Sequence, residues 1–201
     1  MAGKSGRVTV AGRRSRVRTS GLILGSALLT LALLAPSWCR AGAPVRVAQV
    51  LQGGKYITTP LPPGTPDELK ALKSFHGHLG PNVTAGLRMG KYALKMLKAE
   101  RYFGMEAEIM CPGAPPGSCF LDGIQFSTGC TMGKMNIRLI PTDDKFVGSF
   151  LNKQTQKTLM VRLRPEAIAR ATQEMKDKTD VAGALLLYKM TDEELFEDMP
   201  E

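Results

Sequence analysis

The chain has 201 residues, a length that suits one domain of ordinary size and a removable leader. Its formal net charge is +9, but residues 1–43 carry seven Lys and Arg residues and no acidic residue, which leaves +2 for the remaining chain. So small an excess argues against a nucleic-acid-binding surface, and we expect no nucleic-acid partner.

Residues 1–41 have the pattern of an export signal peptide. A basic stretch precedes an apolar run over residues 21–35, which is shorter than the roughly 20 apolar residues of a stable membrane span. Small residues allow cleavage after Ala41, and an uncleaved anchor is the alternative. We therefore predict a periplasmic or otherwise extracytoplasmic protein with no membrane span after cleavage. Arg13 and Arg14 keep twin-arginine export open beside the general secretory route.

Residues 42–64 are predicted to be an extended lead-in, and residues 65–201 a folded domain. Hydrophobic periodicity and capping residues predict helices over residues 67–74, 81–99, 118–126, 165–177 and from 191 onward. Alternating apolar patterns predict strands over residues 106–111, 136–141, 145–151 and 157–163, the last three as successive antiparallel strands. Helices and antiparallel strands that do not alternate strictly predict an α+β fold with a mixed or antiparallel sheet.

The helix predicted over residues 81–99 has two features of its own. Gly86 and Gly90 lie four residues apart on one face, where they would let another backbone approach closely. Its solvent-facing side is predicted to carry four basic residues, Arg88, Lys91, Lys95 and Lys98.

The chain contains two histidines, His76 and His78, and they flank Gly77. In an extended or turning segment, side chains two residues apart leave on the same side. The two rings can therefore converge on one metal ion or one substrate proton. A hydrogen-bonded pair in the core is the alternative.

A second candidate stretch places Cys130 in a glycine turn, with Lys134 four residues later. A nearby lysine favours the thiolate, which is the reactive and metal-binding form of cysteine. His76, His78 and Cys130 would form a ligand set that suits zinc and leaves a fourth position open for water; copper, iron and nickel are not excluded. The catalytic candidates are Cys130, His78, Asp122 and Lys134.

Two further cysteines, Cys111 and Cys119, flank a loop rich in proline and glycine (CPGAPPGSC). The loop is short enough for a disulfide, which would leave Cys130 as a free or metal-bound thiol. Three reduced cysteines are the alternative, and Cys119 is then a second candidate for the functional thiol.

Two stretches resemble the FmdE-like family, which takes its name from formylmethanofuran dehydrogenase: FHGHLGPNVTAGLRMG over residues 75–90 and SCFLDGIQFSTGCTMGKMNI over residues 118–137. Many members carry HGHxCPG, whereas Gly80 replaces that cysteine here, as in a subgroup with HGHLGP. The resemblance implies an α+β domain, usually a homodimer, with a cleft lined by the His-Gly-His and Thr-Gly-Cys segments and able to hold a metal such as zinc. The cysteine-rich C-terminal zinc finger of some members has no CxxC counterpart in this sequence.

These features support two classes of function. The first is an exported metalloenzyme or redox protein in which the His/His/Cys metal activates water or a small substrate. The second is a module that binds a metal or cofactor without turnover. A third hypothesis, without a metal, makes Cys119 and Cys130 a thiol–disulfide pair. The family name points to methanogenesis, but that chemistry is cytoplasmic and does not fit an export leader.

Overall fold

The computed structural model describes residues 59–200, so the predicted signal peptide and residues 42–58 of the lead-in lie outside the described residues. The helices are α1 (Asp67–His76), α2 (Pro81–Leu97), α3 (Cys119–Thr128), α4 (Pro165–Asp177), α5 (Asp180–Lys189) and α6 (Asp192–Leu195). The strands are β1 (Met105–Pro112), β2 (Ile137–Thr142), β3 (Val147–Asn152), β4 (Thr158–Leu163) and β5 (Phe196–Met199). The predicted α+β class is confirmed. Within this range, no helix has both the length and the apolar content that crossing a membrane requires.

The strands of residues 59–200 form one sheet in the order β2-β1-β3-β4-β5. β1 pairs in parallel with β2, where Ala107 lies opposite Ile137, and antiparallel with β3, where Ala107 lies opposite Phe150. The prediction that β2 and β3 pair directly is wrong, because β1 lies between them. α3 lies between β1 and β2 in the chain and provides the crossover that a parallel pair requires.

The secondary structure of the C-terminal segment also differs in part from the prediction. The capping box of Thr191 and Glu194 is present, but the helix ends at Leu195. Phe196 then begins β5, where it lies opposite Leu163 of β4 and packs its ring 5.1 Å from that of Tyr92. Burial of this aromatic ring favours an edge strand over further helix.

Two clusters of buried side chains hold the helices to the sheet and to each other. The larger cluster lies between the sheet and α2, α3, α4 and α5, and includes Ile109, Phe120 and Phe150. The smaller one lies between α1, α2 and α5 and includes Leu72 and Leu79. Leu79 is fully buried, so it anchors the short segment between α1 and α2 that carries the two histidines.

Helices α2 and α3 approach each other backbone to backbone. A methyl group built on Gly86 would lie 1.9 Å from the Phe120 carbonyl oxygen, and one on Gly90 would lie 2.0 Å from Ser127 Oγ. One on Gly123 would lie 2.0 Å from the Val83 carbonyl oxygen. The later glycine of α2, Gly90, contacts a later residue of α3 than Gly86 does. The helices α2 and α3 therefore run in the same direction and begin at the same end of the domain. The close approach of another backbone is found at Gly86, whereas the atoms that approach Gly90 belong to the side chains of Ser127 and Thr128.

Arg88 has a role other than the predicted one of a solvated charge. Its side chain is 13% exposed and donates to the carbonyl oxygens of Tyr188 (2.5 Å) and Met190 (2.7 Å), and to the Asp192 carboxylate (2.9 Å). A cation at the C-terminal end of α5 is stabilised by the helix dipole and by these hydrogen bonds. Arg88 therefore ties α5 to α2.

We predict that Gly123→Ala lowers the free energy of unfolding by about 2–4 kcal/mol, because the added methyl group forces α2 and α3 apart. Gly133→Ala is the matched control, since its methyl group would come no closer than 4.0 Å to another atom. We expect a change within about 0.5 kcal/mol there. Urea denaturation of both variants measures the difference; equal stabilities would contradict the close crossing.

Candidate functional site at the N-terminal ends of α2 and α3

His76 is the last residue of α1, which runs two residues further than predicted, and of the extended or turning segment expected here the structure has the turn. Gly77 ends the helix in the left-handed region, with φ of 94°, and its N–H donates to the Lys73 carbonyl oxygen at 2.8 Å. The turn brings the rings of His76 and His78 together, with centroids 4.6 Å apart. The two imidazoles are therefore neighbours, through a helix end rather than a strand.

Asp122 holds His76 from the first turn of α3. The His76 Nδ1 atom lies 2.7 Å from Asp122 Oδ2, and the His76 side chain is 8% exposed while that of Asp122 is 39% exposed. The Nε2 atom of His76 is buried and has no hydrogen-bond partner among residues 59–200. This hydrogen bond orients the ring and leaves the Nε2 edge unused.

The surroundings move the pKa values of the two histidines in opposite directions. The hydrogen bond with Asp122, helped by the nearby Cys119 thiol, raises the pKa of His76 to about 9 against the effect of burial. Burial and the neighbouring His76 charge lower the pKa of His78, although Asp180 opposes them. Near neutral pH the metal-free protein therefore holds one charged ring beside one neutral ring.

Cys119 is the cysteine that lies beside these histidines. It is the half-buried first residue of α3, three positions before Asp122, so both side chains lie on the same side of the helix. Cys119, Cys111 and Cys130 are all free thiols in the structure. The spacing of a cysteine and an aspartate at i and i+3 is the signal in the sequence that could have selected Cys119 over Cys130.

Cys130 lies at the other end of α3. Ten residues of helix span about 15 Å, with Asp122 in the first turn and Cys130 two residues beyond the last. Gly129, with φ of 72°, turns the chain into the core, where the buried Cys130 thiol donates to the Met105 carbonyl oxygen at 3.4 Å. The expected meeting of Cys130 with the histidines is therefore not seen within the chain, because the turn after α3 directs the thiol under β1.

Lys134 accompanies Cys130 rather than the histidines. Its Nζ atom donates to Thr131 Oγ1 at 3.2 Å and lies 5.8 Å from the centre of the Tyr102 ring. Burial raises the pKa of Cys130, and this effect outweighs the opposing charge of Lys134. Cys130 is therefore a core thiol near a lysine, and its raised pKa does not favour the reactive thiolate.

A cavity of about 150 Å³ opens beside the site. Its wall includes His78 and Cys119, the first turn of α2 from Pro81 to Val83, Thr172 of α4 and Asp180 at the start of α5. Three larger depressions, on the outer face of the sheet, beside Phe126 and beside Tyr92, contain neither histidine nor Cys119. In the part of the chain that the structure describes, the small cavity therefore gives a ligand access to the His78 imidazole and the Cys119 thiol.

Among residues 59–200, no group of three or more His, Cys, Asp and Glu side chains is placed to hold a metal ion. His76, His78, Cys119 and Asp122 are nevertheless brought together from three elements of the fold. Their donor atoms include an unpartnered buried imidazole nitrogen, which is a chemical fit for a metal that takes nitrogen and sulfur ligands.

The profile of one protein family, described as "FmdE, Molybdenum formylmethanofuran dehydrogenase operon", matches residues 75–197, which include all of these side chains. The chain belongs to the FmdE family. A second similarity is to an Archaeoglobus fulgidus protein named "Probable S-adenosyl-L-methionine-binding protein", with 35% identity over 70 residues. This match covers 34% of the present chain and 19% of that protein.

We predict that the metal-free protein loses stability as the pH rises from about 6.5 to about 9. The raised pKa of His76 means that its charged form is stabilised by folding, so the contribution is complete below the unfolded pKa and is lost through the folded one. The loss should be about 1–3 kcal/mol, since the partial exposure of Asp122 lets solvent screen the pair.

Urea denaturation in the presence of a chelator, at several pH values, measures this slope. In Asp122→Asn the decline should flatten, because the carboxylate that raises the His76 pKa is gone. If the free energy of unfolding of Asp122→Asn declined with pH as steeply as that of the parent, a group other than His76 would be responsible for the decline.

Proposed function

We propose that this FmdE-family protein binds a divalent metal ion through His76, His78 and Cys119, with Asp122 as the residue that orients His76. Zinc is the metal that two imidazoles and one thiolate favour, with copper, iron and nickel as alternatives. The proposal replaces Cys130 by Cys119 in the ligand set. It includes export to the periplasm or another extracytoplasmic compartment, and a homodimer as the assembled form.

The observation that carries this proposal is the His76 side chain. An imidazole nitrogen that is buried without a partner costs about 1–3 kcal/mol of stability. Its other nitrogen is held by a carboxylate, the arrangement that commonly surrounds metal-binding histidines in proteins. A metal at Nε2 would satisfy the buried atom and displace its proton.

His78 and Cys119 supply two further donors, since the centre of the His78 ring lies 4.6 Å from that of His76 and the Cys119 thiol is close enough to raise the His76 pKa. The site is not complete as it stands, so metal binding requires these two side chains to reorient. Three protein ligands leave a position for water or a substrate, where a bound metal would supply Lewis-acid chemistry. An open position favours an enzyme over a storage module, which is the second interpretation of the same ligand set.

Thiol chemistry at Cys119 is a second candidate, favoured by the position of Cys119 between His76 and the cavity. A histidine held by a carboxylate beside a cysteine is an arrangement that supports nucleophilic catalysis. The thiol–disulfide pairing of Cys119 with Cys130 is not supported, because the two residues lie at opposite ends of α3.

The compounds that appear in the names of these similar proteins are not proposed as ligands of this protein. S-adenosylmethionine is a ligand of nearly thirty non-hydrogen atoms, whereas pockets for ligands of such size occupy about 300–1,000 Å³. The cavity at this site has about 150 Å³. A smaller ligand fits the site better.

Zinc content per chain tests the proposal. We expect about one zinc ion in the parent protein, and loss of most of it in His76→Gln and Cys119→Ser. Asp122→Asn should weaken zinc binding about 10- to 100-fold, since it removes the group that orients His76. Cys130→Ser is the matched control and should keep the zinc.

Alkylation by iodoacetamide separates the two candidates. If zinc binds at Cys119, the zinc-loaded protein should react more slowly at this residue than the chelated protein. Full zinc content in both His76→Gln and Cys119→Ser would contradict the metal proposal. Absence of zinc from the parent, together with rapid alkylation of Cys119 that His76→Gln slows, would favour the thiol candidate.

A further inference from the structure

Two of the cysteines lie at the two ends of one closed loop. Cys111 is the last residue but one of β1, and Cys119 is the first residue of α3. The loop between them folds back on itself, because a methyl group built on Gly117 would lie 2.5 Å from the Cβ atom of Pro112. The Cys119 N–H donates to the Pro116 carbonyl oxygen at 3.3 Å. These contacts hold the start of α3 against the end of β1 and bring the two cysteines together.

The thiols of Cys111 and Cys119 are close enough to affect each other. Cys111 is fully buried in the cluster between the sheet and the helices, and Cys119 is half-buried beside it at the start of α3. Burial raises the pKa of the Cys111 thiol to about 11, with a further contribution from the nearby Cys119. Both are free thiols in the structure. The metal site proposed above uses Cys119 and leaves Cys111 without a role.

The two thiols differ in access. Cys119 lines the cavity of about 150 Å³, whereas Cys111 does not line it and is fully buried. A reagent in solution therefore meets Cys119 first. The raised pKa of Cys111 has the same consequence, since the thiolate is the form of cysteine that attacks a disulfide. Cys119 is thus placed to react first, and Cys111 to complete a bond.

We propose that Cys111 and Cys119 form a reversible disulfide, and that this bond competes with the metal for the Cys119 sulfur. The inference rests on the proposed function in one respect: it takes Cys119 as a metal ligand. A sulfur in a disulfide no longer has the thiolate charge that a zinc ligand needs. Oxidation would therefore disable the metal site, and metal binding would in turn protect Cys119 from oxidation.

A small organic disulfide, glutathione disulfide, is the oxidant of this reaction. The Cys119 thiolate attacks one of its sulfurs, which forms a mixed disulfide and releases one glutathione thiolate. The Cys111 thiol then loses its proton and attacks the Cys119 sulfur, which releases the second glutathione. The two glutathione thiols carry away the two protons and two electrons that the cysteines lose. Excess glutathione reverses both steps.

Cys130 provides the matched control. It is fully buried like Cys111, but it lies beyond the other end of α3, where its thiol donates to the Met105 carbonyl oxygen. Cys130→Ala and Cys111→Ala each remove one sulfur atom from the core. A difference between the two variants is therefore not a general effect of losing a buried thiol.

Peptide mapping of the metal-free protein after treatment with glutathione disulfide tests the inference. Free thiols are alkylated with iodoacetamide, and chymotrypsin, which cleaves after Phe103 and Phe120, separates residues 104–120 from Cys130. In the parent and in Cys130→Ala, we expect this peptide to carry neither alkyl groups nor glutathione. In Cys111→Ala, we expect a glutathione adduct on Cys119, because the thiol that performs the second step is missing.

Zinc uptake by the same proteins tests the competition. The oxidised parent, freed of glutathione, should take up little zinc, and reduction with a phosphine should restore its zinc content. The zinc-loaded parent should form the disulfide more slowly than the metal-free parent. Disulfide formation by a parent protein that takes up no zinc would support the bond, and only the metal proposal would fail.

A lasting glutathione adduct on Cys119 of the parent would overturn the inference, since it would show that the two sulfurs do not meet. Alkylation of both Cys111 and Cys119 after the oxidative treatment would overturn it as well. Full zinc content in a parent protein whose disulfide has formed would contradict the competition between bond and metal.

Discussion

The contact between α2 and α3 determines where the functional groups meet. Gly86 and Gly123 let the two helices touch through backbone atoms, and a single methyl group at either position would collide with the other helix. Because the helices run in the same direction, this contact places the start of α2 beside the start of α3. His76 and Asp122 are 46 residues apart in sequence, and their hydrogen bond depends on that crossing.

The site combines a precise hydrogen bond with an unsatisfied atom. Asp122 fixes the His76 ring from one side, while the buried Nε2 atom on the other side has no partner. This unpartnered atom lies close to a thiol, to a second imidazole and to a small cavity that both of these groups line. A ligand that satisfies several of these groups at once would stabilise the protein, which links stability to binding. An unpartnered buried atom is locally unfavourable, and the packed helices around it offset that cost.

The regular elements could largely be predicted from the sequence, because their signals are local. The helix from Pro81 and the capping box of Thr191 follow from residues within one or two turns. The pairing of β1 with both β2 and β3 could not be predicted in the same way, since it depends on which strands meet across the sheet. Arg88 shows the same limit: its partners at the end of α5 are about 100 residues away.

The histidine pair could be selected from the sequence because imidazole occurs nowhere else in the chain. Its thiol partner could not be selected with the same certainty. Cys130 has a glycine turn and a lysine nearby, whereas Cys119 has a helix start and an aspartate three residues later. Deciding between them requires the direction of α3, which places Asp122 and Cys119 at the histidines and sends Cys130 into the core.

The protonation of the His76 ring, followed by long-range proton–nitrogen NMR during a zinc titration, tests the central claim most directly. We predict that Nδ1 keeps its proton and its hydrogen bond to Asp122, while Nε2 loses its proton as zinc binds. Retention of the Nε2 proton at saturating zinc, or binding of the metal through Nδ1, would contradict the proposed site.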